Sequence, residues 1–371
     1  MKLLVLKENK PFENRVALTP DVVGKYQKFG FDVYVEKNAG IKSYFSNQDY
    51  QNCGANIIDD INNILPEIDV VIAVQENNID FSKLKSSAVF IALLNPFMQH
   101  DLIDKISKFD INVFALELIP RSTRAQSMDV LSSQASLAGY RAVIDAIYES
   151  TKCMPMMITS AGTISASKIL VIGAGVAGLQ AIATAKRNGA IVSAFDVRAS
   201  AKEQVLSLGG KFIEVKSTEK TDGVYATEMS EEYKKQQQLL LEEIIKTQDI
   251  VITTALIPGK TAPILITKKM VDSMKPNSLI FDLSASNGGN CELTKPDEIL
   301  VHGHVKIFGY TNYPSRIGFE SSKFFAKNIL NFIELLVDKD KKLITINNDD
   351  EIIKSTMVCA NKKITNEKLI K

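Results

Sequence analysis

The sequence predicts an α/β chain of two domains, each built on a parallel sheet. Three observations carry that prediction. Short apolar runs alternate with helical stretches along almost all of the 371 residues. That length gives each of two domains a core of its own. One apolar run, residues 168–172, leads into Gly173-x-Gly175-x-x-Gly178 and then a helical stretch over 176–187.

Residues 2–7 are the first expected strand, too short for a signal peptide. Thr19-Pro20 opens a helix that Gly30 closes: a cap, a proline in the first turn, a glycine past the end. A strand is expected over 31–36, and others at 69–74, 89–94 and 112–118, with helices between. None of them carries a glycine fingerprint. A long helical stretch over 129–150 then leads to the second domain.

The fingerprint is a dinucleotide cradle. Gly173 allows the tight turn, Gly175 lets backbone approach a pyrophosphate, and Gly178 lets helix pack on strand. From Val176 on, the helix N-terminus offers free N–H groups to the phosphates. Asn188-Gly189 ends that helix, and 190–197 is the next strand. Asp196 closes it, 23 residues after Gly173. A carboxylate there accepts from both ribose hydroxyls of NAD and repels the 2′-phosphate of NADP. Arg198, two residues on, is the residue able to pair with a phosphate instead.

Later strands are expected at 213–215, 249–254, 278–283 and 305–310. The run 231–246 is a helix with a solvated charged face. A long helix over 317–337 sets Phe324, Phe325, Ile329, Phe332, Ile333 and Leu336 at helical spacing, for core or inter-domain packing. The tail from Lys342 rejoins the first domain. The expected domains are therefore 1–130 with 322–371, and 131–321, two Rossmann-like folds with an NAD-binding cleft between them.

Composition narrows the function. A net charge of +1 gives no reason to expect nucleic acid as a partner. Cys53, Cys153, Cys291 and Cys359 lack CxxC spacing, which argues against zinc and disulfides and for a reducing compartment. His302-Gly-His304 has no accompanying ligand cluster, so no metal is expected. Cys291 has no matched base and reads as a packed thiol. No apolar run approaches the ~20 residues that span a bilayer, and a soluble chain is expected.

The polar stretch Arg121-Ser-Thr-Arg-Ala-Gln126-Ser-Met-Asp129-Val-Leu-Ser132 has two readings. It is a helix entry with Asp129 as cap and Arg121 on a solvated face, or it holds the reactive end of a dinucleotide. With Leu-Ala-Gly-Tyr-Arg-Ala-Val (137–143), the fingerprint, Lys202-Glu-Gln-Val, Thr253-Thr-Ala-Leu-Ile-Pro-Gly-Lys260, Gly288-Gly-Asn-Cys and Asn312-Tyr-Pro-Ser-Arg316, it resembles a known family over almost the whole chain. That family is the NAD(H)-binding component of proton-translocating, Re/Si-specific nicotinamide nucleotide transhydrogenase, in its split-subunit form.

The resemblance implies that the chain binds NAD(H) and passes hydride from NADH to NADP⁺, with NADP(H) held on a partner subunit. A membrane-embedded proton-channel subunit couples the transfer to proton translocation. It implies a homodimer in the cytoplasm, attached peripherally to the inner membrane through those partners. Arg121, Gln126 and Asp129 are then the catalytic loop that orients the nicotinamide, with Ser132 as carboxamide partner. Such transfer needs no proton at the reacting carbons, only two rings held with carbons at roughly 3–3.5 Å. The implied cofactor-binding residues are Gly173, Gly175, Val176, Gly178, Asp196, Val197, Arg198, Thr254, Ala255 and Leu256, with Tyr225 on a loop (221–229) that closes over the nucleotide.

Alanine dehydrogenase, a related fold, is the rival. Its Lys, His and acid positions fall here on Gln75, near Asn95, and on Ser286, while Arg15 of Asn14-Arg-Val-Ala-Leu-Thr-Pro20 is kept. Losing all three leaves no general acid or base for a metabolite. Ser286 also departs from transhydrogenases, which usually carry Glu there.

Overall fold

The computed structural model describes residues 1–77, 79–215, 231–257 and 259–369. The strands in chain order are β1 (Lys2–Val5), β2 (Asp32–Glu36), β3 (Asn56–Ile58), β4 (Val70–Gln75), β5 (Ala88–Leu93), β6 (Ile111–Ala115), β7 (Met157–Thr159), β8 (Gly162–Ile164), β9 (Lys168–Ile172), β10 (Ile191–Phe195), β11 (Lys211–Ile213), β12 (Ile250–Thr253), β13 (Leu279–Asp282), β14 (Ile299–His302), β15 (Val305–Phe308), β16 (Val337–Asp338), β17 (Leu343–Ile344), β18 (Met357–Ala360) and β19 (Lys363–Ile364).

The chain divides into two compact units. Unit 1 is Met1–Gln134 with Ser315–Lys371, and unit 2 is Ala135–Pro314. Compared with the expected 1–130 and 322–371, unit 1 gains a few residues at each crossing. Gln134 belongs there because Arg15 Nη1 donates to its Oε1 at 2.9 Å and its Nε2 donates to Ser321 O at 3.1 Å.

Unit 1 holds an eight-stranded sheet in the order β19-β18-β6-β5-β4-β1-β2-β3. Strands β1 to β6 are parallel; β18 and β19 add antiparallel. Alternate residues feed two cores, because successive strand side chains point to opposite faces. Leu3, Val5, Val33, Val70, Ile72 and Phe114 pack one face with Phe325, Ile329, Phe332 and Ile333 of the helix Gly318–Glu334. Leu4, Val71, Ala73, Phe90 and Val113 pack the other. Phe324, expected in core or inter-domain packing, is not part of this core and is 47 % exposed. It lies one residue, about 100° of helical rotation, from Phe325. Pro20 opens its helix and Gly30 has φ +92° as expected. Thr19 is the N-cap residue as expected, but its side chain makes no capping bond; its hydroxyl donates to Asp21 Oδ1 at 2.6 Å.

Unit 2 holds a seven-stranded sheet, β11-β10-β9-β12-β13-β15-β14, parallel except for the last strand. Counting from β9, its parallel strands follow the order 3-2-1-4-5-6. Counting from β1, so do those of unit 1. That is the order of the doubly wound dinucleotide fold. The two units also share one hydrogen bond pattern. A carboxylate at the end of the second strand takes the amide two residues past the first: Glu36 Oε2 from Lys7 N and Asp196 Oδ2 from Ala174 N, both at 2.7 Å.

The third strand of unit 2 runs over Lys211–Ile213, not 213–215. The hairpin β7–β8 and the edge strand β14 were not expected; all six hairpin residues are exposed, so no buried alternation marks them. Among the described residues, no helix is long and apolar enough to cross a membrane.

Candidate functional site

In unit 2 the candidate residues gather at the carboxyl ends of β9, β10 and β12, on both sides of the point where strand order reverses. Each glycine has its own geometric reason. Gly173 has φ +96°, the left-handed region that favours glycine. A Cβ on Gly178 would lie 1.8 Å from Gly173 O, so helix and turn touch only because it is absent. A Cβ on Gly175 would meet nothing within 4 Å. That open backbone, at the N-cap of the helix Val176–Arg187, is what a pyrophosphate needs for close approach. The residues therefore fit a dinucleotide.

Asp196 follows β10 directly. Its Oδ2 accepts from Ala174 N–H at 2.7 Å, and Arg198 grips both oxygens, Nε to Oδ1 at 2.9 Å and Nη2 to Oδ2 at 2.8 Å. Val197 lies half-buried between the two. Opposite, Thr254 Oγ1 donates to Gly173 O at 2.9 Å, which docks the loop after β12 on the cradle. Ala255 and Leu256 continue that loop, Leu256 exposed.

Two residues that the sequence did not single out hold the loop in place. Asn290, fully buried, takes Ala255 N–H on Oδ1 at 3.0 Å and gives Nδ2 to Ala255 O and Pro263 O, both at 2.9 Å. Asp282, also fully buried, accepts from the amides of Ser284, Asn290 and Cys291 and the hydroxyls of Thr253 and Thr294, at 2.7–3.0 Å. The one sequence signal was Gly288-Gly289 beside Asn290; Gly289 has φ +82° and packs on the Asp282 carboxylate. Burial pushes the Cys291 thiol up to about 11, which suits a packed thiol.

The polar stretch lies in unit 1. Ala125 and Met128 are buried anchors, and Asn328 and Asn331 donate to Ser127 O at 2.8 and 3.0 Å. Arg124 pairs with Asp350. Asp129 caps the helix Val130–Glu149, accepting from Ser132 N at 2.8 Å and Ser132 Oγ at 2.6 Å. The capping reading of Asp129 is thus real, and it points Ser132 at Asp129. Arg121 and Gln126 are exposed. Tyr225 lies outside the described residues.

The positions of the rival chemistry are committed elsewhere in unit 1. Arg15 forks onto buried Glu13, Nε to Oε1 at 2.8 Å and Nη2 to Oε2 at 2.6 Å, and gives Nη1 to Gln134. Gln75 Nε2 donates to the same Glu13 oxygen, Oε2, at 2.6 Å. A substrate carboxylate would have to compete with Glu13 for Arg15. Asn95, at φ +49°, gives its amide to Glu117. In unit 2, Ser286 is exposed and bonded to Asn287. His302 pairs with Asp272 Oδ1 at 2.7 Å. Among the described residues, no group of three His, Cys, Asp or Glu is placed to hold a metal. A cavity of about 470 Å³ lies at the ends of β1, β2 and β4, with Lys7, Glu8, Glu36 and Asn77 on its wall. The turn after β1, residues 6–19, contains no glycine.

Residues 4–138 match the alanine dehydrogenase/PNT N-terminal domain, and residues 142–367 match the alanine dehydrogenase/PNT C-terminal domain. The chain belongs to the alanine dehydrogenase/PNT family. It is 49 % identical over 369 residues to the first part of NAD(P) transhydrogenase subunit alpha from Rhodospirillum rubrum, covering 96 % of each chain. It superposes on the crystal structure of transhydrogenase from Sinorhizobium meliloti with a TM-score of 0.89 at 45 % identity, covering 98 % of this chain and 100 % of that one. An L-alanine dehydrogenase structure matches with a TM-score of 0.82 at 20 % identity, over 100 % and 98 % of the two chains, and shows the shared fold.

Proposed function

We propose that this chain is the NAD(H)-binding component of a proton-translocating transhydrogenase. It holds NADH while hydride passes to NADP⁺ on a partner subunit, and a membrane-embedded subunit couples the transfer to proton movement. The observation that carries the reading is the pairing of an intact cradle in unit 2 with an Arg15 already neutralised by Glu13 in unit 1. The chain keeps the means to bind the nucleotide, and its Arg15 is tied up by Glu13. Relatives that are named as a portion of a transhydrogenase alpha subunit support the partnership.

NADH supplies the hydride when bound. Gly173, Gly175, Val176 and Gly178 would seat the pyrophosphate, and Asp196 would take the adenosine ribose, with Val197 and Arg198 flanking it. Thr254, Ala255 and Leu256 would form the adjoining wall. Arg121, Gln126, Asp129 and Ser132 would position the nicotinamide end. Gln126 offers both donor and acceptor to an amide, and Asp129 fixes the Ser132 hydroxyl. The exposed apolar hairpin β7–β8, with Ile158 78 % exposed beside Met157 and Ile164, supports self-association as a homodimer. Its place would be the cytoplasmic face of the inner membrane, held there by its partners.

Titration with NADH and NADPH, then mixing with an NADP(H)-binding transhydrogenase component, tests this. NADH binding with hydride exchange is expected. NAD⁺ reduction by alanine would favour the stand-alone dehydrogenase, and binding without exchange would leave only an NAD(H)-sensing module.

A further inference from the structure

The Asp196 carboxylate accepts four hydrogen bonds from the protein. Oδ1 takes Arg198 N–H at 2.8 Å and Arg198 Nε at 2.9 Å; Oδ2 takes Ala174 N–H at 2.7 Å and Arg198 Nη2 at 2.8 Å. A carboxylate offers about four lone-pair sites, so this one is full. It is also sheltered: the Asp196 side chain is 7 % exposed and that of Arg198 19 %.

The four donors are of two kinds. Those from Ala174 N–H and Arg198 N–H belong to the backbone, and the turns after β9 and β10 fix them. Those from Nε and Nη2 belong to one long side chain, which can leave. A guanidinium edge presents two parallel N–H donors, one to each oxygen. The vicinal diol of an adenosine ribose presents two O–H donors, and it too spans both oxygens of a strand-end carboxylate. The diol and the fork need the same two positions.

We propose that the Arg198 guanidinium stands in for the ribose diol on Asp196, so that NAD(H) must displace it to bind. This rests on the NAD(H) reading above. Once displaced, the guanidinium stays tethered two residues from Asp196, on the ribose side. There it is a cation beside the 2′ position. Arg198 is then a specificity-determining residue with two opposed effects. It competes with the ribose of NADH and weakens that complex. It attracts the 2′-phosphate of NADPH and offsets part of the repulsion from Asp196.

Calorimetric titration of the full chain with NADH and with NADPH tests the proposal on wild type, Arg198→Ala and Arg198→Lys. Removing a partly exposed fork should tighten NADH by roughly two- to fivefold in Arg198→Ala, the worth of such an ion pair. In the same variant NADPH should weaken by about tenfold, the loss of one charge-assisted phosphate contact. Arg198→Lys keeps the charge and loses the fork, so NADH should tighten while NADPH holds near wild type. Opposite movement of the two nucleotides is a result that a loss of fold cannot produce. Parallel weakening of both, or no change in NADH for either variant, overturns the proposal. If Arg198→Ala does not fold, as thermal melting will show, Arg198→Lys decides alone. Failure of the wild-type chain to bind NADH would instead overturn the NAD(H) reading itself.

Discussion

Asn290 and Ala255 pair in both directions: the Ala255 amide donates to the Asn290 side-chain oxygen at 3.0 Å, and the Asn290 side-chain amide donates to Ala255 O at 2.9 Å. One buried carboxamide therefore sets the edge of the loop that Thr254 docks on Gly173. Asn290→Asp turns the donor into an acceptor facing two carbonyls and adds a charge beside Asp282. The expected cost is about 1–3 kcal/mol of unfolding free energy, the penalty for buried groups left unpaired, together with weaker NADH binding. Urea unfolding and NADH titration read the two. Wild-type values in both would show that the pairing is incidental.

Two glycines of the same turn should behave differently. Gly178→Ala puts a Cβ 1.8 Å from Gly173 O, so helix and turn must separate and the fold itself should weaken. Gly175→Ala has open space and an ordinary φ of −75°. It should leave the melting temperature unchanged while NADH affinity falls by tenfold or more, roughly 1.4 kcal/mol. Loss of stability in Gly175→Ala would mean that its place in the cradle has been misread.

Arg15 is expected to be a structural cation. Arg15→Met takes the guanidinium fork away from the buried Glu13 carboxylate, and should cost about 3–5 kcal/mol of stability. NADH affinity, read by titration below the melting transition, should barely move. A variant of wild-type stability would mean that the fork onto Glu13 contributes nothing.

Two buried carboxyls in unit 1 predict a pH dependence. Burial, with Glu13 nearby as the second cause, raises Glu8 from 4.5 to about 8. Burial raises Glu117 from 4.5 to about 7. Both folded values lie above the unfolded one, so the folded state holds the extra protons. Their stabilising contribution is full below about pH 4.5 and is lost as pH rises toward 7 for Glu117 and 8 for Glu8. The urea midpoint of unit 1 should therefore carry a contribution that falls from about pH 5 to 8. Glu8→Gln should flatten that fall; an unchanged slope would place the titrating group elsewhere.

Asp129 has two roles that one substitution separates. Asp129→Asn keeps a side-chain oxygen for the Ser132 amide, so the helix cap and the fold should persist. Hydride exchange with an NADP(H)-binding component should slow far more than NADH affinity falls, and Gln126→Asn should do the same. Equal losses in rate and affinity would reduce the loop to a binding contact.

The cradle was legible because its chemistry is local. A strand, three glycines, a helix and an acid at fixed spacing appear in sequence order, and Gly173, Gly178 and Asp196 sit as that order requires. The parallel strands were legible because both their faces are buried, as in Val70–Gln75. What escaped notice is long-range or exposed. Asn290 meets Ala255 across 35 residues, and nothing in either neighbourhood names the other. The hairpin Met157–Thr159 with Gly162–Ile164 buries no face and so leaves no period. Arg198 was visible, but its grip on Asp196 depends on a turn geometry that spacing alone does not encode.

Glu36 repeats in unit 1 the bond that Asp196 makes in unit 2, yet the turn it holds contains no glycine. An acid in that location is thus useful to any such turn as a clasp, whether or not a nucleotide ever arrives. Counting strand-end acids along this chain would tally two turns of one kind; the glycines that accompany the second tell them apart.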